Sequence, residues 1–220
     1  MNNFKKFFII FLLLLHSCSG KPEKVESIIT EEDLDIQMMV AYKEGVDALK
    51  KGDVYYAAKK FNEAELLYPQ SEWAAKAVLM ASYGYFAQAY YKSAADELNR
   101  FIKKYPKDPN LDYAYYLLAM CHYESIVDEK KDLKPLLNAK DSFNLLIEKF
   151  PLTDFAIDAK YKLKLINDLL AAKEMYVARH YIKKEKWIPA INRFKIVVND
   201  YETTVFVEEA LHRLVEIHYK

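Results

Sequence analysis

Glycine and proline are scarce, with four and seven in 220 residues. So little turn material disfavours folds that reverse direction often and favours helices. Neither sign of charge dominates, because Lys plus Arg and Asp plus Glu number 32 each. Without a basic block there is no electrostatic reason to expect nucleic acid. The sequence contains no HExxH, CxxC, glycine-rich phosphate loop or nucleophile elbow, and no two of His122, His180, His212 and His218 stand four apart on one helical face. The expectation is a non-enzyme with no metal and no cofactor.

What is present begins with an export signal. Lys5 and Lys6 precede the apolar run Phe7–Leu15, and Ser17 then leads to Cys18. Nine apolar residues are too few to span a bilayer. The end Leu15-His16-Ser17-Cys18 resembles a lipoprotein signal, with His16 where a small residue is usual. The resemblance implies cleavage after residue 17, lipidation of Cys18 with palmitate among its acyl chains, and a tether over 18–33. Ser19 follows the cysteine where Asp would retain the protein at the inner membrane, which points to the outer membrane. Cys121 is then left without a partner, and its apolar setting between Tyr113 and Tyr123 reads as a small buried hydrophobe.

From residue 34 onward the chain repeats itself. An aromatic precedes proline at Tyr68-Pro69, Tyr105-Pro106 and Phe150-Pro151, and Tyr201-Glu202 is a fourth copy without the proline. Counting back from each pair gives Ala57, Phe61 and Ala64, then Ala94, Leu98 and Phe101, then Ala139, Phe143 and Leu146, then Ala190, Phe194 and Val197. Upstream lie Gly45 and Ala48, Ser82 and Tyr85, Ala119 and His122, and Ala178 and Tyr181. Small residues at such spacing let antiparallel helices approach closely. The pattern resembles the tetratricopeptide repeat (TPR). It implies an all-α TPR superhelix of about five helix-hairpin repeats over 34–220, the last incomplete.

Several local signals fit. Lys51-Gly52-Asp53 reads as a turn inside the first repeat, and Tyr91, Leu136 and Trp187 follow the later turns. Ser71, Asp108, Thr153 and Thr203 are expected N-caps. The repeat ends stand 37, 45 and 51 residues apart, longer than the usual repeat. The third repeat's excess falls in the charged stretch Ser125–Lys134, read as a solvated loop. The fourth's falls in an unbroken helix from Asp154 to about Lys184. A last helix after Thr204, carrying Leu211, Leu214, Val215 and His218, has no second helix after it and keeps an uncovered apolar stripe.

Eighteen tyrosines and twelve phenylalanines are many for a helical protein, so much of the packing is aromatic, and a few rings in the early repeats are expected to face a groove. Tyr83, Tyr85, Tyr113 and Tyr116 are the candidates to line a concave peptide groove. The run from Leu169 to Tyr201 carries further detail: Glu174, Ala178, Tyr181 before a turn, Trp187 after it, then Asn192-Arg193. In that order these residues resemble the BamD family, the outer-membrane β-barrel assembly lipoproteins. The resemblance implies a periplasmic scaffold lipid-anchored to the outer membrane within the BAM complex. It docks on the periplasmic domains of BamA, receives unfolded barrel precursors for insertion into the membrane, and has other assembly-complex lipoproteins as partners. Tyr181, Lys184, Asn192 and Arg193 are the residues carried over to the BamA contact. The alternative for Arg193 is an internal pair with Glu174 or Glu185. The alternative for the chain is another TPR lipoprotein, scaffolding envelope enzymes or binding a soluble ligand.

Overall fold

The computed structural model describes residues 31–126 and 133–219, of which 34 onward belong to one compact unit. The signal segment, Cys18, the tether up to residue 30 and the centre of the 125–134 insertion lie outside the described residues. Among the described residues there are nine α-helices and no strand. They are α1 (Glu31–Lys50), α2 (Val54–Leu67), α3 (Glu72–Ala87), α4 (Tyr91–Lys104), α5 (Leu111–Glu124), α6 (Lys134–Lys149), α7 (Asp154–Lys183), α8 (Trp187–Asp200) and α9 (Val207–His218). From α2 on, each helix packs on its neighbour in the chain, and α3 also meets α5 and α5 meets α7. This is the stacked hairpin array of a TPR-like superhelix. Helix α1 starts three residues before the expected boundary at 34.

The periodic positions form the core. All twelve second-helix residues counted back from the aromatic turns have no solvent exposure. On the first helices Ser82, Ala119 and Ala178 are equally buried. Gly45 shows why a small residue is needed there, since a Cβ at that position would lie 2.8 Å from the Phe61 ring. Ser82 satisfies its hydroxyl locally by donating to the Val78 carbonyl at 2.8 Å. Cys121 is 1% exposed and burial pushes its thiol up to about 12, as fits a small buried hydrophobe. His122 is half-buried between α5 and α6, its Nδ1 2.9 Å from Ser142 Oγ, and burial lowers its pKa.

Turns within the hairpins share one geometry. Gly52, Ala89 and Glu185 all have positive φ, at 80°, 61° and 56°. Each sits where the helix end reverses, with the next residue's N–H donating to the carbonyl five positions back: Asp53 to Ala48, Tyr90 to Tyr85 and Lys186 to Tyr181. Glycine occupies this conformation freely only in the first. Ala89 and Glu185 each accept a cost of about 1 kcal/mol to keep the same turn. Between repeats, Tyr68, Tyr105, Phe150 and Tyr201 each end a second helix, their N–H bonded to the carbonyl four residues back. Tyr201 does so without proline after it, so the proline is not what stops the helix.

Ser71 and Thr153 cap α3 and α7, accepting from the N–H of Ala74 and Ala156. Asp108 and Thr203 do not cap. Asp108 Oδ1 accepts from the Asn110 N–H at 2.8 Å, which closes a turn before α5 begins at Leu111. The last helix starts at Val207 because Thr204, 7% exposed, donates to the Tyr201 carbonyl and holds an extra turn. In α9 the packed residues are Ala210, Leu214 and Ile217, whereas Leu211 and Val215 are exposed.

The close approach at Gly45 yields a paired prediction. Gly45→Ala drives a methyl against a fully buried ring and should lower the unfolding free energy by about 1–3 kcal/mol. Gly84→Ala meets only the tip of Leu49, and the helical gain of about 1 kcal/mol for alanine over glycine should leave it near neutral or stabilising. Urea denaturation of both variants measures the difference, and equal losses would show that Phe61 yields as readily as Leu49.

Candidate functional site

The α7–α8 hairpin carries the polar residues singled out above. Helix α7 has 30 residues, about 45 Å, and α8 packs against its second half through Ala171, Met175, Ala178, Ala190, Phe194 and Val197. Glu174 and Tyr181, seven residues apart, share one face of α7, and Arg193 reaches that face from α8. Arg193 Nη1 donates to Glu174 Oε1 and Oε2 at 3.3 and 3.0 Å. The internal partner of Arg193 is therefore Glu174 and not Glu185. Only one guanidinium nitrogen is used, and the Arg193 side chain stays 40% exposed. Nε and Nη2 make no hydrogen bond among the described residues, so one edge of the fork is open to a carboxylate from outside.

The other three residues have different commitments. Tyr181 is half-buried against the α7–α8 core, and its carbonyl accepts from the Lys184 and Lys186 N–H groups at the turn. Lys184 and Asn192 are exposed. Among the described residues neither side chain has a hydrogen bond or ion pair. The hairpin thus carries an ammonium, an amide and half a guanidinium, each on a helix or a tight turn.

The four tyrosines expected at the groove differ in their surroundings. Tyr116 stacks on Phe155 and donates to Asp158 Oδ2 at 2.8 Å, and burial together with the Asp158 carboxylate pushes its phenol up to about 12. Tyr113 packs on Phe155 and is half-buried. Tyr85 is half-buried against the Tyr55 ring. Tyr113 and Tyr116 turn toward Phe155 of the neighbouring hairpin, whereas Tyr85 lines a surface cavity with Tyr55, Lys59, Asn62 and Leu66. Tyr83 alone of the four is exposed, at 47%.

Comparison with known proteins fits this geometry. A family model described as "Outer membrane lipoprotein", YfiO, matches residues 34–220. The chain belongs to the YfiO family. It is 38% identical over 208 residues to the outer membrane protein assembly factor BamD of Rickettsia prowazekii, covering 94% of this chain and 80% of that protein. It is 36% identical over 201 residues to BamD of Caulobacter vibrioides, covering 91% of this chain. The match spans 65% of the Caulobacter protein's length. A more distant relative, BamD of Neisseria gonorrhoeae, is 28% identical over 218 residues. As a YfiO-family member the chain is associated with the outer membrane, and no helix among its described residues is long and apolar enough to cross a membrane.

Sequence reasoning missed two polar assemblies in this YfiO-family array. Glu65 on α2 is 2% exposed and accepts from Arg100 Nη1 at 2.6 Å, Lys104 Nζ at 2.7 Å and Tyr105 Oη at 2.7 Å. Burial would raise its pKa, and the three donors reverse that and hold the carboxyl below its ordinary value. Arg179 on α7 makes a two-pronged pair with Glu209 on α9. The only sequence signal for Glu65 was a carboxylate beside Ala64, a core position of α2.

Proposed function

We propose that this chain is a non-catalytic scaffold of the outer-membrane β-barrel assembly machinery. It stands at the periplasmic face of the membrane, anchored by lipid on Cys18, and docks on the periplasmic domains of BamA. The observation that carries the reading is the half-used guanidinium of Arg193, on the same hairpin as the uncommitted side chains of Lys184 and Asn192. A carboxylate on the partner can take its free edge in a bidentate pair while Glu174 holds the side chain in place. The names of the relatives, outer membrane protein assembly factors, support the cellular role. Unfolded barrel precursors are received on the array, where Tyr83 is the open aromatic contact, and further lipoproteins of the complex bind elsewhere.

Arg193→Glu should abolish co-purification with the BamA periplasmic domains. An exposed pair contributes about 0.2–1 kcal/mol, so its melting temperature should stay nearly unchanged. The swap Arg193→Glu with Glu174→Arg should restore the internal pair without restoring binding. Recovery of binding in the swap would instead make the pair purely structural.

Two further tests bear on the same reading. Labelling with radioactive palmitate should mark the chain and fail for Cys18→Ser, and label retained by that variant would refute the anchor. Peptides ending in the aromatic residue of a barrel strand should bind more tightly than the same peptides without it, with the difference reduced in Tyr83→Ala. Equal binding of both peptides would leave a general scaffold without a precursor role.

A further inference from the structure

Along α2, Tyr55, Lys59, Asn62 and Leu66 recur at spacings of four, three and four, so they share one face of the helix. With Glu63 and with Tyr85 of α3 they line a surface cavity of about 660 Å³. From Tyr55 to Leu66 this face is about 17 Å long. One end is aromatic. The Tyr55 ring, 59% exposed, meets the Tyr85 ring edge-on at 5.8 Å and the Tyr90 ring at 5.2 Å. None of these three hydroxyls makes a hydrogen bond among the described residues. The polar middle is held by neighbours. Arg100 Nη2 donates to Asn62 Oδ1 at 3.0 Å, which leaves the amide N–H groups of Asn62 unused. Lys60 holds Glu63 Oε2 at 2.8 Å, which leaves Oε1 as an acceptor. Lys59 and Glu63 stand four apart, the spacing of a helical ion pair, yet Lys59 has no ion pair among the described residues.

We propose that this cavity binds a neutral oligosaccharide. A sugar hydroxyl both donates and accepts, and the unused Asn62 donor beside the Glu63 acceptor matches that dual character. The apolar C–H face of a sugar ring can lie on the exposed Tyr55 ring, whose hydroxyl stays free for a polar contact. Lys59, Asn62 and Glu63 crowd into little more than one helical turn. Several hydroxyls on one sugar ring match that density, and a single peptide side chain does not. Charge points the same way. An anionic ligand drawn to Lys59 also meets the Glu63 carboxylate one turn on, a cationic ligand drawn to Glu63 meets Lys59, and a neutral one meets neither penalty. A partner's apolar helix or an acyl chain would cover Lys59 and Asn62 at the centre of its contact without bonding them, at a cost of about 1–3 kcal/mol for each group left unsatisfied. The cavity belongs to α2 and α3 and shares no residue with the α7–α8 hairpin, so this reading does not rest on BamA docking.

The test is calorimetric titration of the full chain, solubilised in a detergent without a sugar headgroup, with maltotetraose, cellotetraose and chitotetraose. At least one should bind, with an affinity that is the same at low and high salt because no ligand charge is screened. Tyr55→Ala removes the stacking ring. Asn62→Asp keeps the acceptor for Arg100 and loses the amide donor. Each should weaken binding about five- to ten-fold, with the melting temperature unchanged, and Arg193→Glu should leave it as it was. The proposal is overturned if none of the three sugars binds at millimolar concentration, or if neither cavity substitution weakens the binding. It is also overturned if a barrel-strand peptide ending in an aromatic residue is the tighter ligand and loses affinity in both variants, which would make the cavity part of the precursor surface.

Discussion

The array depends on one steric constraint, the meeting of a large side chain on a second helix with a small one on the first. Phe61 lies against Gly45 so closely that a single added carbon would collide with it. Phe143 and Phe194 occupy the matching place in later repeats, fully buried, with Ala119 and Ala178 in the corresponding cores. Small residues there let each hairpin's two helices approach closely, and the outer surfaces of neighbouring hairpins gain the shape into which the next one fits.

Polar groups add specificity to this apolar stack at a few points. Glu65 gathers an arginine, a lysine and a tyrosine from α4 onto α2 and so fixes the register of the second hairpin on the first. A buried carboxylate is tolerated there because every donor it needs comes from one neighbouring helix. Arg193 and Glu174 form a related pair in the fourth hairpin with one difference. Arg100 uses Nε, Nη1 and Nη2 on Glu97, Glu65 and Asn62, whereas Arg193 uses Nη1 alone, so the same residue type that spends its donors in the second repeat keeps two in the fourth.

The fold was largely legible in the sequence because its determinants are periodic. The positions of Ala57, Phe61, Ala64 and their equivalents were visible as spacing alone, and all are buried. Ends of helices were less legible. Asp108 and Thr203 have the chemistry of caps, but Asn110 and Thr204 compete through local turns, and a side chain's hydrogen-bonding choice leaves no periodic trace. The same limit applied to the tyrosines, whose type says nothing about direction. Tyr113 and Tyr116 look toward Phe155, and only the packing of α5 on α7 reveals it. The site residues on α7 and α8 were found through resemblance, whereas the state of Arg193, half paired and half open, needed coordinates.

The unbroken run of α7 through two repeats has a consequence for how the chain acquires its structure. In a stack where contacts are mostly between sequence neighbours, folding requires little loop closure and can advance hairpin by hairpin as the chain emerges. Helix α7 interrupts that order, because its first half completes the third hairpin's core while its second half is stabilised only once α8 returns along it. The third and fourth repeats are therefore coupled through one helix, as the first two are through the Glu65 cluster.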